Sequence, residues 1–515
     1  MAVDDVDNGR HTVSTLESPS PAQTVRFMLD GAVVTAHGLP PTTTVLEYLR
    51  DVACRTGTKE GCAEGDCGAC TVVLGELTAD GHGVEYRAVN SCIRFLPTID
   101  GKELVTVESL QSPDGELHPV QRSMVEHHGS QCGFCTPGFV MSLFALYLKA
   151  LPADREAVLD AISGNLCRCT GYRPIIDAGC RMSGYAQSAR WNLVEAHSAC
   201  RVEALQALGR KSADQALRFN GYCAPLTVED LAAELLAAPD SLVLAGGTDV
   251  GLWVTKQLRD LPPIIYVGGI ETLRQIRRTT VGLHIGAGVT LTDAWAALVA
   301  EFPALAELAK RFASPPVCNS GTLGGNIANG SPIGDSMPPL IALGAEIQLR
   351  QGAHVRAMPL ESFYLGYQKK ALLPGEFVLG ITVPLPQPGR LVAGYKVAKR
   401  NEQDISAVCG AFAVDVSDGR IVCARFAYGG MAATPARALH AEAAIVGLPW
   451  SKETIESAAA ALSMDFKPLT DARATAGYRL QTAGNMLRRF YMQNTGQAAP
   501  GAAPVRVTDT MVGQP

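Results

Sequence analysis

Residues 61–70 read Gly61-Cys62-Ala63-Glu64-Gly65-Asp66-Cys67-Gly68-Ala69-Cys70, and a further cysteine, Cys92, follows at a distance. A C-x4-C-x2-C run completed by a remote fourth cysteine is the ligand spacing of a plant-type [2Fe–2S] cluster. Gly61, Gly65 and Gly68 let the backbone take positive φ, curl round an inorganic core and aim amide N–H groups at its sulfurs. A structural zinc site is the alternative for the same cysteines, but zinc loops favour paired C-x2-C knuckles.

Upstream of this loop, Val25, Phe27 and Leu29 alternate, Asp30-Gly31 makes a turn, and Ala32-Val33-Val34 returns as the second arm of a hairpin. Thr44 caps a short helix over 45–50. Strands are expected at 71–74 and 86–89, the latter leading into Cys92. Together they make a small β-grasp domain over residues 24–104.

From 105 to 185 the period becomes helical. A helix starting at His118-Pro119 runs toward His127, and apolar residues recur at helical spacing over 139–148 and 154–162. Two loops at helix ends, QCGFCTPG (131–138) and GNLCRCTGYRP (164–174), each present two cysteines. Cys132, Cys135, Cys167 and Cys169 can supply four thiolates to a second [2Fe–2S] cluster in a small helical bundle. Zinc is a stronger rival here, because thiolate pairs build zinc ribbons; the first cluster alongside favours iron.

Residues 186–218 are polar and Ala-rich, as in a partly helical linker. A new domain, 219–388, carries the buried-type strand 242–245 running into Gly246-Gly247-Thr248-Asp249, a loop in which main-chain N–H groups can approach a pyrophosphate. Its second half holds Phe312 and then TLGGNIANGSPIGD (322–335), rich in backbone and hydroxyl donors suited to a phosphorylated ligand. The alternative for that run is a long surface loop. No G-x-G-x-x-G stands between a strand and a helix, which disfavours a Rossmann site. Residues 389–497 read as an α+β unit, with strands near 393–397, 411–416 and 422–428 and a charged loop from Lys396 to Asp404. The leader 1–23 and the tail 498–515 are expected to be disordered.

The chain's 515 residues exceed one core, and 47% hydrophobic residues with a net charge of −6 give no basic patch for nucleic acid. Eight of the fifteen cysteines fall into the two sets. The remainder, Cys54, Cys180, Cys200, Cys223, Cys318, Cys409 and Cys423, is odd in number, which argues for a reducing compartment rather than a disulfide framework. With no secretory signal and no apolar run long enough to span a bilayer, a cytoplasmic location off the membrane is expected.

The motifs GCAEGDCGACT, QCGFCTPG, GNLCRCTGYRP, LAGGTDVG and TLGGNIANGSPIGD occur in this order. Over about 24–495 the chain resembles the iron–sulfur and flavin part of the molybdenum hydroxylase family, of the xanthine dehydrogenase type. The resemblance implies a multidomain α+β fold: a β-grasp ferredoxin-like domain, a helical-bundle [2Fe–2S] domain, an α+β FAD-binding domain of the non-Rossmann type, and a C-terminal α+β flavoprotein domain. It makes Cys62, Cys67, Cys70 and Cys92 ligands of the cluster nearer the flavin. Cys132, Cys135, Cys167 and Cys169 become those of the cluster nearer molybdenum, with Gln131 beside the partner's pterin. Leu244, Ala245, Gly246, Gly247, Thr248, Asp249, Thr322, Gly324, Gly325, Asn326, Asn329 and Asp335 become FAD contacts. Phe312 would flank the flavin, Lys396 would stand near its ring, and the loop 397–404 would tune access of NAD.

No molybdenum-binding motif is present, so the resemblance places purine hydroxylation, and every catalytic residue for it, on a molybdopterin-binding large subunit. Electrons would pass through two [2Fe–2S] clusters to FAD and on to NAD, in a dimer of such heterodimers. Other members of the family, oxidising aldehydes, carbon monoxide or N-heterocycles such as nicotinate, are the nearest alternatives; fusion of the iron–sulfur and flavin parts favours the purine enzyme. A non-enzymatic zinc or redox assembly module is the alternative from another class.

Overall fold

Val72, Val73 and Leu74 are all buried, although neighbouring strand residues point to opposite faces. A sheet reads this way only when both faces are covered. In the computed structural model, which describes residues 21–149, 153–188, 191–401 and 403–495, the five strands Ala32–Ala36, Val25–Leu29, Glu103–Val105, Thr71–Leu77 and Val84–Asn90 lie side by side in that order. Val25–Leu29 pairs parallel with Glu103–Val105, Met28 facing Glu103, and the other pairs are antiparallel. The expected leader up to residue 20, the tail from 498 and Glu402 of the charged loop lie outside the described residues.

One face of this β-grasp sheet, with Phe27, Val72, Leu74 and Leu104, packs on Val45 and Leu49 and joins Leu217, Tyr222, Leu244 and Ile264 of the flavin-side domain in one core. The short helix Val45–Glu47 is fixed by a capping box between Thr44 and Glu47, and the chain continues through a wider π-type turn, Tyr48–Val52. The opposite face, with Met28, Val73, Tyr86 and Val105, packs on Phe139, Leu143, Phe144 and Ile175 of the helical part. That part consists of Pro119–Glu126, Thr136–Tyr147, Arg155–Ile162 and Arg173–Arg181.

The stretch read as a linker carries the helices Leu193–Ala196 and Ala199–Leu208. It is held down by Trp191, which is buried, donates from Nε1 to the Ser109 carbonyl at 3.0 Å and lies 4.0 Å beneath the Arg201 guanidinium. Arg201 in turn pairs with the fully buried carboxylate of Glu103, which also accepts from the Tyr86 hydroxyl at 2.9 Å. A buried charge needs such partners.

Beyond it, Leu217–Phe219, Tyr222–Ala224, Ile264–Tyr266 and Leu242–Leu244 form a small sheet whose last three strands are parallel. A five-stranded antiparallel sheet follows, ordered Ile276–Arg278, Leu283–Gly286, Phe377–Val383, Glu346–Gln351 and His354–Pro359. This is not the open parallel sheet of a Rossmann domain. The C-terminal unit is the antiparallel sheet Arg390–Val397, Val408–Ser417, Arg420–Gly429 and Ala436–Arg437, backed by Lys452–Asp465 and Ala476–Asn494 through Phe412, Phe426 and Phe490. The architecture is therefore multidomain α+β. Among the described residues no helix is long and apolar enough to cross a membrane.

Candidate redox centres and flavin cleft

The loop 61–70 turns round the Cys62 sulfur. The amides of Glu64, Asp66 and Cys67 point at Cys62 Sγ at 3.5, 3.4 and 3.3 Å, and Asn90 Nδ2 reaches Cys70 Sγ at 3.9 Å. Positive φ falls on Ala63 (54°), Gly65 (78°) and Gly68 (69°). Gly61, expected to share that conformation, is instead required for space: a Cβ there would stand 2.8 Å from Cys67 Sγ.

The four sulfurs join in a chain: Cys62 contacts both Cys67 and Cys92, and Cys92 contacts Cys70. Hydrogen bonds from the Cys67 and Cys92 thiols, with the loop amides, drive the Cys62 thiol far below its ordinary range. Cys92 likewise lowers Cys70, while contact with these anionic neighbours, together with burial, pushes Cys67 and Cys92 up. Four such thiols cannot all ionise without a cation among them. Among the described residues no three His, Cys, Asp or Glu side chains gather tightly enough for a single ion. Four thiols gathered this way, on a loop of C-x4-C-x2-C spacing, suit the four-thiolate ligand set of a [2Fe–2S] cluster.

In the helical part Cys132 and Cys169 are exposed, Cys135 is half-buried and Cys167 buried. Cys132 contacts Cys169, which it raises, and Cys135 contacts Cys167. Burial, with Cys167 adding to it, pushes the Cys135 thiol up to about 12. Burial also raises Cys167, yet the Thr170 hydroxyl at 3.1 Å and its amide at 3.5 Å outweigh it and hold that thiol low. Cys135 stands at the N-cap position of the helix Thr136–Tyr147, its sulfur making no capping hydrogen bond. Gln131 is exposed beside Cys132.

The two loops touch. Leu166 N–H donates to the Cys67 carbonyl at 2.9 Å, and Asn165 Nδ2 donates to the Gly68 carbonyl at 3.0 Å while its own carbonyl accepts from Ser142 at 2.6 Å. A Cβ on Gly138 would stand 2.1 Å from that Gly68 carbonyl, so only glycine lets the helix approach. On its other side the first loop meets the flavin-side domain. Thr255 Oγ1 donates to the Ala63 carbonyl at 2.7 Å, Lys256 Nζ to the Cys62 carbonyl at 2.8 Å, and the Ile93 carbonyl faces Gly247 and Gly251. Ile93 was not singled out from sequence; its only signal is that it follows Cys92.

Next to Gly247 opens a cleft of about 460 Å³, lined by Ala245, Gly246, Gly247, Thr248 and Asp249 and also by Thr322, Gly324, Gly325, Asn326 and Asn329. Both expected flavin loops thus share one cleft of cofactor size. The N–H groups of Gly246, Gly247, Thr248 and Asp249 donate to no protein acceptor among the described residues, an amide nest suited to phosphate. Asp249 is open to the cleft yet walled by protein, and that enclosure raises its carboxyl against the pull of Lys370. These features fit the diphosphate end of FAD.

Leu244 lies in the core behind the loop rather than in the cleft lining, and so do three other expected contacts. Phe312 packs on Trp295 with ring centroids 5.4 Å apart. Lys396 is buried, its Nζ 2.7 Å from Asp335 Oδ2 and 3.0 Å from the Arg311 carbonyl, while Ser406 donates to Asp335 Oδ1 at 2.6 Å. Lys370, Trp253 and Gln368 line the cleft and carry no sequence signal that would have found them.

Family models match four consecutive stretches: a 2Fe-2S iron-sulfur cluster binding domain over 27–95, a [2Fe-2S] binding domain over 106–180, an FAD binding domain in molybdopterin dehydrogenase over 216–386, and a CO dehydrogenase flavoprotein C-terminal domain over 393–494. The chain is 31% identical to a xanthine dehydrogenase of Emericella nidulans over 91% of this chain and 38% of the relative. It is 30% identical to aldehyde oxidase 1 of Cavia porcellus over 93% of this chain and 40% of the relative. The chain thus spans about two fifths of the length of these curated relatives. A solved carbon monoxide dehydrogenase chain from Hydrogenophaga pseudoflava superposes with a TM-score of 0.49 at 33% identity, over 53% of this chain and 95% of that one.

Proposed function

Because this chain belongs to the molybdenum hydroxylase family, as the part with two [2Fe–2S] domains and an FAD-binding domain, we propose that it is the electron-transfer subunit of a xanthine dehydrogenase. Xanthine or hypoxanthine is hydroxylated on a molybdopterin-binding partner chain, and the electrons leave through this chain to NAD. The observation that carries the reading is the unbroken line of contacts from Cys169 and Cys132, through Leu166 and Cys67, to Ile93 and the cleft at Gly247.

When bound, the clusters supply one-electron transfer and the flavin the exchange between one- and two-electron steps. The chain's residues hold and orient. Cys62, Cys67, Cys70 and Cys92 hold the inner cluster, and the amides of Glu64, Asp66 and Cys67 offset negative charge on the Cys62 sulfur. Cys132, Cys135, Cys167 and Cys169 hold the outer one. The residues Ala245 to Asp249 and Thr322 to Asn329 seat FAD, with Phe312, Asp335 and Lys396 packed behind the cleft. The loop 397–404 admits NAD. Gln131, Cys132, Phe134 and Cys169 are exposed together, and the partner docks there; two such pairs form a closed dimer. The free thiols throughout agree with the reducing cytoplasm. Aldehyde oxidation is the second reading, favoured by the match to aldehyde oxidase 1.

The test uses the purified chain, first by absorption spectrum, then with NADH and a dye, then with xanthine and a dye, each with and without the molybdopterin-binding partner. Iron–sulfur and flavin bands, dye reduction by NADH without the partner, and xanthine oxidation only with it are expected. A colourless zinc protein overturns the redox reading. Xanthine oxidation by the lone chain overturns the subunit assignment, and a flavin-loaded chain that NADH does not reduce turns it toward an oxidase.

A further inference from the structure

The strands Tyr364–Gly366 and Lys369–Lys370 form a hairpin at the flavin cleft. Tyr364, which pairs with Lys370 across the ladder, donates its hydroxyl to the Ile327 carbonyl at 3.2 Å. Its ring sits where a side chain on Gly330 would be, 2.9 Å from an added Cβ. The hairpin is thereby fastened to the helix Leu323–Asn329, which forms part of the cleft wall, and Lys370 is brought into the lining.

Four charged side chains line the cleft: Asp249, Arg259, Lys370 and Glu376. Glu376 is taken by Arg356, Nε to Oε1 at 2.6 Å. Arg259 is exposed and lies over the Trp253 ring at 5.6 Å. Lys370 is half-buried, and its ammonium makes no hydrogen bond or contact ion pair among the described residues; Asp249 acts on it only from a distance. A cation partly withdrawn from water without a contact partner is costly unless a ligand supplies the anion. The same cleft offers the unpaired amides of Gly246, Gly247, Thr248 and Asp249.

We propose that Lys370 is the cation that pairs with the diphosphate of the bound dinucleotide, completing the anion site begun by the amide nest. The inference rests on the reading of this cleft as the FAD site and adds a residue outside both flavin loops. The nest supplies directional donors and Lys370 supplies the charge. Lys370 is accordingly a positioning residue with no part in the redox chemistry.

The test strips flavin from the full chain and measures dissociation constants for FAD, ADP and riboflavin in wild type, Lys370→Met and Lys370→Arg. Retained iron–sulfur absorbance checks the fold, and Lys370→Gln replaces the methionine variant if that one loses its clusters. Loss of one charge-assisted contact weakens FAD and ADP binding about ten- to a hundredfold. Riboflavin, which lacks phosphate, binds unchanged, and Lys370→Arg stays close to wild type. Equal FAD and ADP affinities in wild type and Lys370→Met overturn the inference while leaving the cleft reading intact. An equal loss for riboflavin also overturns it, by showing a packing role. Wild type that binds no FAD overturns the cleft reading itself.

Discussion

The Ile93 carbonyl oxygen lies against Gly251 so closely that a Cβ added to the glycine would stand 2.4 Å away. The helix Val250–Thr255 therefore rests on the residue that follows Cys92. Gly251→Val forces the two loops apart, with an expected loss of about 1–3 kcal/mol from overpacking and slower electron exchange between the inner cluster and the flavin. Urea unfolding and rapid-mixing absorbance check both; a variant unchanged in each would show that the junction absorbs the added volume.

Among the described residues the two cysteine sets meet through backbone and Asn165 contacts of their loops rather than through sulfur. Cys135→Ser or Cys169→Ser should empty only the outer cluster, and Cys67→Ser only the inner one. Electron paramagnetic resonance of the reduced variants separates the two signals. A folded variant from either set that lacks both signals contradicts the assignment of separate ligand sets.

Gly246 and Gly325 differ although both line the cleft. A Cβ on Gly246 would stand 1.9 Å from the Ser320 carbonyl oxygen, whereas one on Gly325 meets only Thr322 Oγ1 at 2.9 Å and Ala245 Cβ at 4.0 Å. Gly325→Leu should fill the cleft, release FAD and leave both clusters and the melting temperature near wild type. Gly246→Leu should lower the melting temperature as well. Flavin-to-iron ratios together with thermal unfolding distinguish the outcomes; full flavin content in Gly325→Leu would show that this glycine does not face the cofactor.

His118 caps the helix Pro119–Glu126 with Nδ1, which accepts from the Val120 amide at 3.2 Å, and its Nε2–H donates to the Trp191 carbonyl at 3.1 Å. Burial lowers its pKa to about 4 against some support from that carbonyl, while in the unfolded chain it titrates near ~6.5. The neutral ring is the folded form, so its contribution is complete above the unfolded pKa and is lost as pH falls toward 4. The loss amounts to about 3 kcal/mol. Chemical denaturation between pH 7 and pH 4 should show this slope, and His118→Asn should flatten it from a lower starting stability. An unchanged slope would assign the acid sensitivity to other groups.

The cysteine sets were legible because ligand spacing is a local property: Cys62 to Cys70 span one loop, and each outer pair spans two or three residues. The hairpin at Asp30-Gly31 and the cap at Thr44 were legible for the same reason. What escaped depends on distant partners. Gly61 looked like a φ-permissive turn residue, but Cys67 Sγ sets its need. Trp191 sat in a polar, Ala-rich stretch, and its burial comes from distant partners: the Tyr86 and Phe144 rings, the Ser109 carbonyl and Arg201. Lys370 reaches the cleft because Tyr364 bonds Ile327 some forty residues upstream. No periodicity in the chain records that.

Four family models divide the chain into successive pieces, but its buried surface is not divided that way. Phe27 and Leu74 share a core with Tyr222 and Ile264, and Val73 and Tyr86 share another with Phe144 and Trp191. A gene fragment ending near residue 105 would expose both faces of the β-grasp sheet to water and leave the Glu103 carboxylate without Arg201. The ferredoxin-like unit is thus separable on paper, but wherever this chain is cut around it, each bared face of its sheet needs a new cover.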